Sequence, residues 1–206
     1  MKSIKDVFGT AILDFLNGEK GIIKTHSSLA GWDELPVSYL FRSFDEMPEI
    51  EKIALNSSRG TVLDLGCGAG AHSIFLQSQG LDVFPVDISQ GAVEACLQQG
   101  LNKARVLDFW QIEQGRFDTI LALMNGAGIC GRINKVPQML KHLKSLLAPQ
   151  GQILLDSSDI IYMYEEENGE YDLSGMTHYY GEVTFNMKYK NEVSGTFPWL
   201  YLDFQN

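Results

Sequence analysis

At 206 residues, with 45% hydrophobic and 20% charged side chains, the chain is long enough to bury one full core. Sixteen basic residues against 26 acidic ones leave a net charge of −10, which argues against a nucleic-acid or anionic-membrane partner, because phosphate binding needs clustered Lys and Arg. Three scattered cysteines, Cys67, Cys96 and Cys130, make no metal spacing and no disulfide framework, and read as reduced thiols of a cytoplasmic protein.

Residues 1–58 read as a mostly helical segment. Residues 6–16 are one candidate helix, amphipathic through Val7-Phe8 and Ile12-Leu13. Its acids and glycines make it neither a signal peptide nor a membrane span, and no later run is long enough to span. Residues 48–55 are a second helix, with Ile50, Ile53 and Ala54 on one face. Between them lies an aromatic-rich stretch, 32–44, containing Trp32, Tyr39, Phe41 and Arg42.

From Gly60 strands and helices alternate. Residues 61–65 form a strand, and 71–79 a helix closed by Gly80. A second strand covers 82–87, and Ser89 caps a helix to about residue 99. Residues 104–107 make a short third strand, and 117–124 a continuous apolar fourth, as buried parallel strands are. A helix over 135–147, ended by Pro149 and Gly151, leads to a fifth strand at 152–156. Repeated units of this kind predict an α/β fold with a mostly parallel sheet covered by helices on both faces. The tail, 160–206, carries an acidic loop (Glu165–Glu170) and a β-hairpin: 182–189 alternates, Lys190-Asn191 turns, and 193–197 returns until Pro198 ends the run. The organisation predicted is an N-terminal helical lid, 1–58, a ligand-binding core, 59–159, and a tail of the same domain, 160–206.

The informative run is Val62-Leu63-Asp64-Leu65-Gly66-Cys67-Gly68-Ala69-Gly70. An apolar strand ends in an acid and three alternating glycines, and a helix follows. Side chains at those positions would block close approach to the backbone, so the loop and the helix start form a cradle for a nucleotide-like ligand at the carboxyl edge of the sheet. Two cofactors compete for it. Gly66, Gly68 and Ala71 loosely satisfy the dinucleotide fingerprint, with Asp87 near its acidic position, which implies NAD. S-adenosylmethionine is favoured by Asp64, by the third glycine, Gly70, by the helical segment ahead of the motif, and by Asp108-Phe109 after strand three.

Asp64-Leu65-Gly66-Cys67-Gly68-Ala69-Gly70 resembles the glycine motif of the class I, Rossmann-like S-adenosylmethionine-dependent methyltransferases, and the likeness runs from about Gly60 to Asp159. The resemblance implies a three-layer α/β/α fold and a set of cofactor-binding residues. Asp64 and the backbone of Gly66, Cys67, Gly68 and Gly70 would hold the methionine part. Asp87 would accept from the ribose hydroxyls, with Ile88 beside it. Asp108 would bind the adenine amino group with Phe109 against the ring, and Asn125 would stand near the reactive methyl. Met124-Asn125-Gly126 is not the Asn-Pro-Pro-Tyr motif of many amino-methylating enzymes, which weakens an amide or exocyclic-amine acceptor. Arg42 would pair with the cofactor carboxylate or make a surface ion pair. His72 reads as a partly exposed structural histidine. Cys67 is a small side chain that fits the loop. The segment Asp156-Ser157-Ser158-Asp159 opens on the same edge, and Tyr179, Tyr180, Trp199 and Tyr201 form a second aromatic group.

Such enzymes close the sheet with an antiparallel strand pair. Here a hairpin either replaces that pair or leaves it incomplete, and in the second case the free edge of strand five would allow a homodimer. The reading is a cytoplasmic methyltransferase acting on a small molecule by in-line displacement, with no metal and with its catalytic residues unassigned. The rivals are an NAD-dependent oxidoreductase, for which Tyr189-Lys190 lies too far from the parallel sheet, and an S-adenosylmethionine-binding protein without turnover.

Overall fold

The structure, a computed structural model, describes residues 5–206. Five strands form a parallel sheet: β3 (Thr61–Leu65), β4 (Asp82–Asp87), β5 (Arg105–Val106), β6 (Phe117–Ala122) and β7 (Leu147–Leu155), in the order β5-β4-β3-β6-β7. The chain runs outward from β3 to β5, then crosses back to β6 and β7. The order therefore reverses between β3 and β6, and it is at the carboxyl ends beside such a switch point that sheets of this kind bind ligands. The crossovers α3 (Ala71–Ser78), α4 (Gln90–Gln98) and α5 (Val136–Leu146) flank the sheet. Leu63, Leu65, Ile120, Met139 and Leu143 fill the main core between sheet and helices.

These elements follow local signals. β3 and β6 are nearly continuous apolar runs because both faces of a central parallel strand are covered. Ser89 caps α4 by accepting from the Ala92 N–H at 3.0 Å. β7 begins earlier than the sequence indicates: Leu147 already pairs with Phe117, and the Pro149–Gly151 stretch is absorbed as a register shift before Gln152.

The N-terminal segment differs from the expected helical lid. It does contain α1 (Val7–Leu16) and α2 (Glu49–Ser57), but between them lies a hairpin, β1 (Ile22–Ser27) and β2 (Gly31–Pro36). The hairpin joins the tail strands β8 (Glu182–Tyr189), β9 (Glu192–Val193) and β10 (Phe197–Leu200) in one antiparallel sheet, ordered β10-β8-β1-β2, with β9 also on β8. Pro198 does not end its strand. It lies inside β10, tolerated because β10 is an edge and needs no donor on its outer side. The antiparallel sheet does not extend the parallel one; it packs beside it, with Tyr189 and Ile23 against Val7, Ala11 and Ile12 of α1.

The buried face of α2 is also not the one the pattern suggests. Ile50 and Ile53 are 56% and 58% exposed, while Glu51, Ala54 and Leu55 turn inward.

Candidate cofactor and acceptor site

The strand-end loop is shaped by its glycines. Gly66, Gly68 and Gly70 have φ of 69°, 52° and 86°, a region that side chains rarely adopt. They serve different ends. A Cβ on Gly66 would stand in open space, one on Gly68 would reach the Phe8 ring at 3.7 Å, and one on Gly70 would meet Leu101 at 2.7 Å and the Cys96 sulfur at 2.9 Å. Gly70 therefore permits packing beneath the loop, whereas Gly66 leaves its outer side free.

Two carboxylates set the loop. Asp87, at the end of β4, accepts from the Gly68 N–H at 2.9 Å and from the Ser89 N–H at 2.8 Å, one on each oxygen. Burial pushes its carboxyl above the usual value, against the pull of these two N–H groups, and the neighbouring Asp6 and Asp64 add to the rise. Asp64 is fully buried at the end of β3 and accepts from the Ser73 hydroxyl at 2.6 Å. Burial raises it as well. Ser73, in the first turn of α3, thus fastens the helix start to the strand, a role that the glycine pattern alone does not show.

Directly after Asp87, Ile88 is 77% exposed, an apolar side chain left open to solvent at the end of β4. Asp108 caps a short turn by accepting from the Trp110 N–H at 3.0 Å. Phe109 is not on the open side. It packs into the main core, close to Trp110 and His142. The phenylalanine therefore supports the turn from behind, because the apolar space below it is the better place for its ring.

Asn125, expected to stand near the reactive methyl, is tied into the strand ends. It adopts a left-handed conformation, φ 62°, directly after Met124 at φ 60°. Its Nδ2 donates to the Leu200 carbonyl at 3.3 Å, and its Oδ1 accepts from the Ser157 hydroxyl at 3.0 Å and the Ser158 N–H at 3.1 Å. Its amide is committed to joining the ends of β6, β7 and β10. Ser157 in turn accepts from the Leu202 N–H at 2.7 Å, and Asp156 accepts from the Gly126 N–H at 3.0 Å. Burial holds the Asp156 carboxyl above its ordinary value. The Tyr180 hydroxyl lies 2.8 Å from an Asp159 oxygen and 3.0 Å from an Asp203 oxygen and shares its one hydrogen between them, and Tyr179 donates to Asp203 at 2.7 Å. Trp199 packs against Gly128, where a Cβ would collide with its indole. The tail aromatics therefore secure the end of the chain across this edge.

Arg42 is buried rather than on the surface, and His72 is buried rather than partly exposed. Both bond the same Glu51 oxygen, His72 Nε2 at 2.7 Å. Arg42 Nη1 also donates to the Tyr39 carbonyl at 2.8 Å, and its guanidinium lies 4.2 Å from the Tyr39 ring centre. Its Nε–H is buried and has no partner among the described residues. Burial alone would raise the Glu51 carboxyl, but its hydrogen bonds with His72 and Arg42 hold it below the usual carboxylate range. Glu51 was legible only as an acid at a helix position in register with Ala54 and Leu55. Trp32, by contrast, is 55% exposed on β2, and Phe41 stacks on Phe15 with ring centres 4.6 Å apart.

Above the loop, Asp6 ties α1 to the core. Its carboxylate accepts from the Gly9 N–H, the Ser89 hydroxyl and the Gly91 N–H, each at 2.9 Å. One side chain therefore satisfies orphan donors at the starts of both α1 and α4. Among the described residues no group of His, Cys, Asp and Glu could hold a metal ion, and no helix is long and apolar enough to cross a membrane.

This fold and loop match known proteins. A family profile described as a methyltransferase domain matches residues 38–185. An S-adenosylmethionine-dependent methyltransferase from Bacteroides fragilis, solved in complex with S-adenosyl-L-homocysteine, is 42% identical with a TM-score of 0.91, covering 100% of this chain and 84% of that one. The putative methyltransferase YqeM of Bacillus subtilis is 28% identical over 105 residues, 48% of this chain and 42% of that protein. Glycine N-methyltransferase of Rattus norvegicus is 26% identical over 121 residues, 50% of this chain and 41% of that protein. The chain spans less than half the length of these two curated relatives. The parallel sheet, its switch point and the glycine loop are those of the class I, Rossmann-like, S-adenosylmethionine-dependent methyltransferases. The chain belongs to the methyltransferase-domain family.

Proposed function

We propose that the protein binds S-adenosylmethionine at the carboxyl ends of β3 and β6 and transfers its methyl group to a small-molecule acceptor. The observation that carries this is the glycine loop at the switch point, open on the Gly66 side and fixed from beneath by Asp87. The cofactor, when bound, supplies a methyl carbon already attached to a good leaving group, so no protein nucleophile is needed.

The chain's own residues fit that ligand. Each Asp87 oxygen has accepted one N–H, and a carboxylate has further lone pairs for a ribose diol. Ile88 offers an exposed apolar face to a purine, and Asp108 an acceptor for its amino group. The Gly66–Gly70 backbone and the start of α3 receive the amino-acid end. Asp64 acts there through Ser73 and the loop it holds. The Arg42 Nε–H, which has no partner among the described residues, is a buried donor suited to a carboxylate. The protein's contribution to the chemistry is alignment of the acceptor for in-line displacement and exclusion of water. Asn125 serves this as a positioning residue, by holding the ends of β6, β7 and β10 together. The net charge of −10 supports a small molecule over a nucleic acid as acceptor, and three reduced, buried cysteines support a cytoplasmic setting.

Parallel titrations with S-adenosylmethionine, S-adenosylhomocysteine and NAD test the reading. Selective binding of the two sulfur compounds is expected, followed by release of S-adenosylhomocysteine when a panel of small amines, acids, phenols and thiols is supplied. Binding of NAD alone would overturn the cofactor, and binding without turnover across the panel would make this a binding protein.

A further inference from the structure

Cys67 sits between the first two glycines of the loop, and Cys96 lies on α4 beneath it. Their sulfurs are 3.7 Å apart, unbonded and buried. The Cys96 sulfur is also 3.4 Å from the Gly68 carbonyl oxygen and directly under Gly70. One thiol is thus part of the loop and the other supports it, while methyl transfer as described uses neither. Cys130 stands apart, with its sulfur against the Arg132 carbonyl.

We propose that Cys67 and Cys96 form a reversible redox switch on the cofactor site, in which a disulfide withdraws the glycine loop and weakens cofactor binding. The inference rests on the cofactor reading above. A peroxide supplies the oxidant. With hydrogen peroxide, the Cys67 sulfur attacks one peroxide oxygen, an S–O bond forms, the O–O bond breaks, and the second oxygen leaves as water. The Cys96 sulfur then displaces the sulfenic oxygen, which leaves as a second water once protonated. Two thiols lose two hydrogens, and one peroxide becomes two waters.

A disulfide of about 2.0 Å requires the sulfurs to close by about 1.7 Å. The helix resists this movement. Cys96 is fully buried, and the start of α4 is fixed by Ser89 and Asp6. The loop yields more readily, since its glycines tolerate wide changes of backbone angle. Movement of Cys67 toward α4 carries Gly68 with it and breaks the bond from its N–H to Asp87, so the loop and the ribose carboxylate are disturbed together. The hydrogen bond with Cys96, together with burial, also pushes the Cys67 thiol well up and keeps it protonated, so oxidation is slow in this conformation. A bound cofactor, which holds the loop against Asp87, protects the pair.

The test uses the full chain. Reduced protein is titrated with S-adenosylhomocysteine, then treated with hydrogen peroxide with and without that ligand. Free thiols are counted, the disulfide is mapped by mass spectrometry, and the titration is repeated before and after dithiothreitol. The expected result is loss of two of the three thiols to a Cys67–Cys96 bond. Affinity should fall by about tenfold or more and return with dithiothreitol, and oxidation should be slower with ligand present. Cys96→Ala should bind the ligand and lose no affinity to peroxide. Should that variant fail to fold, disulfide mapping and dithiothreitol reversal in the unaltered protein still decide. Oxidation that yields no Cys67–Cys96 bond, or a bond that leaves affinity unchanged, overturns the switch. Failure of the reduced protein to bind would instead overturn the cofactor reading.

Discussion

Asp87 and Asp64 are both buried carboxylates beside the glycine loop, but they do different work. Asp87 keeps lone pairs for a ligand, so Asp87→Ala should weaken S-adenosylhomocysteine binding by about 1.5–3 kcal/mol, roughly ten- to a hundredfold, as loss of bonds to a charged acceptor implies. Asp64 is enclosed, and burial raises its carboxyl. A group whose pKa is raised by folding stabilises the fold below its unfolded pKa, about 3.9, and that stabilisation is lost as pH rises through the folded value. Asp64→Asn keeps an acceptor for Ser73 without the charge. Its Tm relative to the unaltered protein should therefore rise between acid and neutral pH, and a pH-independent difference would show that Asp64 is not held above its ordinary value. At this scale the sequence announces the glycines and Asp87 because their spacing is local. It does not announce that Asn125 and Phe109 are occupied elsewhere, since Leu200, Ser157 and the core beneath Phe109 are remote in the chain.

Among the elements, α1 depends on two glycines and one acid. Gly91 approaches Gly9 so closely that a Cβ would stand 2.6–2.7 Å from its backbone. Gly91→Ala should destabilise the fold by about 1–3 kcal/mol, measured by denaturant unfolding, as forced overpacking does. Asp6→Ala removes the acceptor shared by two helix starts and should cost about 1–2 kcal/mol. It should also speed release of S-adenosylhomocysteine, because Phe8 of the same helix covers Gly68; an unchanged release rate would mean that α1 has no part in retaining ligand. The elements from β3 to β7 were legible because caps, glycine stops and continuous apolar strands are local signals. The hairpin β1–β2 was not, because its strands are stabilised by β8, some 160 residues away in the chain. The inward face of α2 is hidden from the pattern for a related reason: Glu51 is buried to meet Arg42 and His72, a demand set by tertiary structure.

For the whole molecule, the two sheets divide the work. The parallel sheet presents the switch point, while the antiparallel sheet, drawn from both ends of the chain, packs on α1 and ties Leu200 and Leu202 to Asn125 and Ser157. The alternation of strands and helices made the first sheet legible from sequence, and long-range pairing hid the second. On the proposed function, the switch-point loop, fixed by Asp87, holds S-adenosylmethionine. Calorimetric titration of S-adenosylhomocysteine into the reduced protein and into Asp87→Ala tests it most directly. One-to-one binding is expected, weakened by the substitution at least tenfold, roughly 1.4 kcal/mol, with the variant still folded. Equal affinity in the two proteins, or no binding by the unaltered chain, would contradict it.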